Sequence, residues 1–335
     1  MSPKAGSERI EKLLCLLGLG LAIELVLFKF LPDISNGLIE GARSNLTDFP
    51  LFERDYIDVG SLSYTRFLGN RILWHVAQLI GHLVHSPDPR LHPLRIAAGV
   101  LTPIYAWIGA YPVLRGNREW NWRHFMAVYS VLVVISLYVF YPYDMPALAF
   151  ISIAMYCLLR ERLGLTLLFM LLTGLFRETS FHVVTWVGLW VLLSGSRPAR
   201  ERVGWFCVFA LAFILEYKAI RHFYPGPVTG AGHLVFDPRE IFLGPGMLSL
   251  TAICSLGLEA VIALLCLNRL LRHPSGDWRR RFFLINCCVL PAWWIFYRMM
   301  DGNLSEFRLL LPALLPFAYG LSLGCSGSTA ARCEQ

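Results

Sequence analysis

Apolar residues fall in long runs separated by short polar breaks, and the runs have the length of helices rather than strands. The first covers Leu13 to Leu31; others lie near 96–114, 124–140, 145–159, 164–176, 180–194, 203–221, 247–268, 282–298 and 308–323. A bilayer-crossing helix takes about 20 apolar residues. The pattern therefore predicts an all-α, polytopic transmembrane bundle of about ten spans, one membrane domain over residues 1–335. Residues 32–95 predict a long exterior loop, too long to be a bare linker. Inside it, near 64–85, Arg71, His75, Gln78, His82 and His85 recur at steps of four and three. That spacing draws one polar stripe down a helix, and such a helix lies along the membrane interface. Residues 222–246 predict a second exterior loop.

Composition sharpens this picture. Of 335 residues, 56% are hydrophobic and only 16% are charged, against roughly 25% charged in an ordinary soluble domain. A water-soluble two-domain enzyme, a nucleic-acid-binding module and a small disulfide scaffold are excluded. The nine cysteines show no metal-ligand spacing and read as small hydrophobes.

The net charge of +7 reads first as orientation. With the stripe helix outside, the arginines of 115–123, 160–162, 197–202 and 269–281, together with Arg332, share one side with Lys4, Arg9 and Lys12. The positive-inside rule makes that side cytoplasmic and places both termini there. The first run follows basic residues as a signal peptide does, but it is too long and lacks a cleavage site, so it reads as a retained anchor.

This topology leaves a few charges on the exterior face. Arg177-Glu178 interrupts the apolar stretch from Leu163 to Leu193; its two arms are short for full spans, so the apex is expected within the membrane's depth. Charges there either line a polar cavity or neutralise each other in packing. Asp144, after Tyr141-Pro142-Tyr143, reads either as a helix cap or as a carboxylate orienting Arg177 or a substrate hydroxyl. Arg298 closes one run and Arg308 opens the last, where a cation opposes the helix dipole. Asp33 follows the first run directly and is a candidate general base. Arg71, Arg177, Arg298 and Arg308 together predict a cradle for phosphate, which guanidinium binds in bidentate fashion. Glu24 and Lys29, Glu216 and Lys218, and Glu259, within apolar runs, read as packing pairs or snorkelling charges.

The long first exterior loop with an acid after helix one, its amphipathic helix and the charged outer helix ends resemble the GT-C superfamily of integral-membrane glycosyltransferases. Locally, Tyr141-Pro142-Tyr143-Asp144, Arg177-Glu178-Thr179-Ser180 and Glu306-Phe307-Arg308 look like motifs of bacterial multi-pass membrane proteins. The resemblance implies an enzyme that moves a sugar from a polyprenyl-phosphate-linked donor to a glycan or lipid acceptor, on the exterior face of a bacterial inner membrane. Asp33 then stands where the family's catalytic base or metal ligand belongs, with Glu40, Asp55 and Asp58 as substitutes; a divalent cation is admitted and no metal site is assigned. Asp144 and Glu178 would assist as acids or orient the arginines. Two alternatives stay open: a surface-polysaccharide polymerase or ligase using lipid-linked substrate, and a transporter or flippase for an anionic lipid or solute.

Overall fold

The computed structural model describes residues 3–45, 67–84, 92–116, 120–137, 143–177, 180–223, 250–272, 277–299 and 310–323. Among them all regular structure is helical: α1 Pro3–Asn45, α2 Phe67–Leu83, α3 His92–Arg115, α4 Trp122–Ser136, α5 Asp144–Leu159, α6 Leu163–Phe176, α7 Phe181–Leu193, α8 Ala199–Phe223, α9 Leu250–Arg272, α10 Trp278–Met299 and α11 Leu311–Leu323. The chain is all-α. Among the described residues two segments are long and apolar enough to cross a membrane, Arg95–Arg115 in α3 and Ala199–Ile220 in α8. Five further apolar helices, α4 to α7 and α11, are shorter.

One boundary differs from expectation. The loop foreseen from residue 32 begins as helix, because α1 runs on through Asp33 to Asn45. Hydropathy falls after Leu31, yet Leu31, Ile34, Leu38, Ile39 and Ala42 keep the three- and four-residue steps of a helix face. The stripe helix is present as α2.

Both directions of the chain are fixed by polar contacts at the bundle's arginine-rich end. Lys12 Nζ donates to the Leu114 carbonyl at 2.8 Å, and Arg123 reaches Glu11 at 2.7 Å. The hydrogen bond and charge of Lys12 hold the Glu8 carboxyl below the usual carboxylate range. Arg202 Nη1 donates to the Val191 carbonyl at 2.6 Å, and Arg197 Nε lies 3.6 Å from Glu161. The N-terminus, the α5–α6 turn and the α7–α8 turn thus share one end with their cations.

The α5–α6 turn is tight because the chain reverses through a Schellman arrangement. The Arg162 amide donates to Cys157 O and the Glu161 amide to Leu158 O, both at 2.9 Å, with Glu161 in the left-handed region at φ 57°. Two antiparallel helices of nearly equal length follow from it, α5 with 16 residues and α6 with 14. Their free ends must meet, and those ends carry Asp144 and Arg177.

Close packing against α3 seats this hairpin. An added Cβ at Gly109 would stand 3.0 Å from the Ala149 Cα, a backbone atom that cannot swing aside. Tyr129 crosses the same contact and donates from its hydroxyl to Ala106 O at 3.1 Å. Gly109→Leu is expected to destabilise the protein by about 1–3 kcal/mol through overpacking, read as a lower midpoint of thermal unfolding in detergent; an unchanged midpoint would show that the two helices separate freely.

The outside of the bundle is apolar. Leu13, Leu17, Leu21 and Leu25 on α1, Val208, Leu211, Ile214 and Leu215 on α8, and Val261, Leu264 and Leu265 on α9 are all exposed. Contiguous apolar faces of this kind mark contact with a membrane or a partner.

Helix lengths differ systematically. The apex between α6 and α7 stands well short of the ends of its long neighbours. Phe176 meets Tyr105, thirteen residues along α3 from His92. Gly174 meets Glu216, seven residues before the end of α8. Phe181 packs against Trp293, six residues before the end of α10. At 1.5 Å per residue these offsets recess the apex by roughly 9 to 20 Å.

Candidate functional site

At this recessed apex Arg177 Nη1 donates to Asp144 Oδ1 at 2.7 Å, with both side chains only 4% exposed. Asp144 is the first residue of α5 and Arg177 caps the end of α6. An acid at a helix N-terminus and a cation at a C-terminus both complement the dipoles. The pair is therefore held by geometry that the hairpin imposes on it. Of the two readings open for Asp144, the contact is with Arg177; Tyr143, the N-cap, makes no side-chain capping bond.

Around the pair the surroundings are apolar on one side. Tyr143, Ala147 and Phe176 form a small buried cluster against Leu68, Ile72 and Phe150. The first turns of α2 thus lie over the hairpin ends. Arg71 sits in those turns and is exposed, as are His75 and His82 further along the stripe, while Leu73 and Ala77 are buried on the opposite face. His75 Nδ1 and Gln78 Oε1 stand 3.3 Å apart.

On the other side polar groups collect. Ser180, three residues after Arg177 and 1% exposed, has no hydrogen-bond partner for its Oγ among the described residues. His182 is fully buried between Phe181 and Trp293, with ring centroids 4.3 and 4.6 Å away. Glu216 on α8 lays its carboxyl against α6 at Gly174, and its Oε2 has no partner among the described residues. Elsewhere in the bundle, Glu259 on α9 is 4% exposed and its Oε1 has no partner among the described residues.

The expected constellation is brought together only in part. Asp144 and Arg177 meet, and Arg71 lies on the helix above them. Asp33 lies within α1, but its side chain and that of Glu40 are outside the described residues, as are Asp55 and Asp58 altogether. Along α1, Leu16 O accepts from Trp107 Nε1 at 2.9 Å and Glu24 lies against Gly99. By this antiparallel register the level of Tyr105 and Phe176 falls near residue 18 of α1. Arg298 lies in the last turn of α10, but its side chain is outside the described residues, as are Glu178, Arg308 and His85 altogether. Among the described residues no group of three or more His, Cys, Asp or Glu gathers as a metal site would.

Ser180, His182 and Glu216 were not among the expected site residues. A signal existed for Glu216, a carboxyl inside an apolar run, but Lys218 beside it suggested a packing pair. Residues two apart on a helix do not face each other, and Lys218 is exposed. Compared with protein-family profiles, with curated proteins and with solved structures, the chain matches none.

Proposed function

We propose that the protein is a multi-pass membrane glycosyltransferase that moves a sugar from a polyprenyl-phosphate-linked donor to a glycan or lipid acceptor. Its working face is the end of the bundle opposite the arginine-rich turns, which is the exterior under the positive-inside rule. The exposed apolar faces of α1, α8 and α9 support contact with lipid, and the bacterial inner membrane is the setting we propose. The observation that carries the reading is the buried Arg177–Asp144 pair at an apex recessed between longer helices.

A guanidinium fixed at membrane depth suits a phosphate that arrives on a lipid tail. Arg177, held by Asp144, contributes charge where the phosphate oxygen gathers electrons as the sugar departs. Ser180 Oγ donates a second hydrogen bond to that phosphate. Arg71, and Arg298 and Arg308 at the neighbouring helix ends, add cations around the approach.

The test is reconstitution in vesicles with a set of polyprenyl-phosphate-linked sugars and candidate acceptors. We expect release of polyprenyl phosphate coupled to glycosylation of the acceptor. Transport of the lipid across the bilayer without any covalent product would refute the proposal. Ser180→Ala is expected to raise the donor KM about tenfold, the loss of one hydrogen bond to a charged group; an unchanged KM would remove Ser180 from the phosphate site.

A further inference from the structure

We infer that Glu216 is the proton acceptor of this site. The assignment rests on the glycosyltransferase reading and adds to it the group that activates the acceptor.

Glu216 lies half-buried on α8, yet its carboxyl presses into α6 rather than turning to the surface. An added Cβ at Gly174 would overlap both carboxyl oxygens and the carbon between them. The carboxyl occupies the volume that a side chain at residue 174 would take. Gly174 and Arg177 are three residues apart on α6, and the Thr173 carbonyl accepts from the Arg177 amide at 2.8 Å, so helical pairing continues to that point. Residues at this spacing are neighbours, about 5–6 Å between Cβ positions. The carboxyl of Glu216 is thus one turn from the guanidinium-bearing residue.

Nothing described occupies that carboxyl. Its Oε2 is buried without a hydrogen bond. The nearest hydroxyl on α6, Thr173 Oγ1, is turned to its own helix and donates to Phe169 O at 2.8 Å. On the two helices packed against α8, the charged or titratable groups are Arg177 at the end of α6 and His182 at the start of α7. Carboxyls at membrane depth are costly and usually serve a site. Of the other acids, Asp144 is paired with Arg177, Glu259 sits on α9, which is not among the helices packed closely against α6, and the side chains of Asp33 and Glu178 are outside the described residues.

The step balances as follows. The acceptor hydroxyl oxygen bonds to the anomeric carbon, and the bond from that carbon to the donor's phosphate oxygen breaks. The electron pair leaves with the phosphate beside Arg177, and the hydroxyl proton passes to the Glu216 carboxylate.

The test uses the full-length protein in vesicles with a polyprenyl-phosphate-linked sugar. Glu216→Gln, which keeps the shape of the notch, is expected to lower kcat about 100-fold or more while donor KM stays within about threefold. The acid limb of the pH–rate profile disappears with it, and Glu216→Asp restores part of the rate and that limb. A second measurement needs no variant: a lipid-soluble carbodiimide labels Glu216, labelling abolishes transfer, and polyprenyl phosphate protects against both. Glu216→Gln with the wild-type rate and pH profile, or labelling at Glu216 without loss of transfer, overturns this assignment alone. Wild-type protein that transfers sugar from no polyprenyl-phosphate donor overturns the glycosyltransferase reading, and the proton-accepting role with it.

Discussion

Arg177→Ala is expected to abolish sugar transfer and to destabilise the protein by about 3–5 kcal/mol. Both losses have one physical cause: removing the cation leaves the Asp144 carboxylate buried without its partner, and an unpaired buried charge is far costlier than a missing pair. The two effects separate in a double variant. Arg177→Met with Asp144→Leu removes both charges and fills their volume, so stability is expected to recover to within about 1–2 kcal/mol of wild type. Transfer is expected to stay absent, because the guanidinium proposed to meet the phosphate is gone. Thermal unfolding in detergent and release of polyprenyl phosphate read the two quantities. A double variant that regains both stability and transfer would reduce the pair to a packing device and remove the core of the functional proposal.

A second large effect is expected at the surface. Leu211 lies midway along α8 and is 58% exposed. Leu211→Asp places a carboxylate where the proposed lipid contact is, at a cost of about 2.5–3.5 kcal/mol for a helix centre. The variant is expected to fail insertion and to be lost from the membrane fraction, as read by fractionation and by accessibility of a cysteine placed at Arg200. In water the same change would improve solubility. A soluble, folded variant would therefore overturn the membrane placement itself.

The helical class was legible in the sequence because long apolar runs admit no other regular structure, and α2 because its stripe repeats at helical steps. The meeting of Asp144 and Arg177 was legible in principle. The two residues lie almost equally far from the turn at Arg160 to Arg162, so antiparallel pairing brings them level. Extension of α1 past Asp33 was hidden, since hydropathy and helical periodicity part company after Leu31. Glu216 was hidden for a different reason: its counterpart on α6 is Gly174, which marks the contact by lacking a side chain. A sequence shows the residues that reach out more readily than those that make room.

The unequal helix lengths have an electrical consequence. Under the proposed function, a phosphate drawn from the outer surface to Arg177 crosses part of the membrane's voltage drop as well as part of its thickness. Moving a unit charge through the whole drop costs about 2.3 kcal/mol per 100 mV, and a recess spanning a third to two thirds of the hydrocarbon makes that of order 1 kcal/mol. With the interior negative, donor binding is opposed by the potential. In energised vesicles the donor KM should rise several-fold, and collapsing the potential with an ionophore should bring it down again.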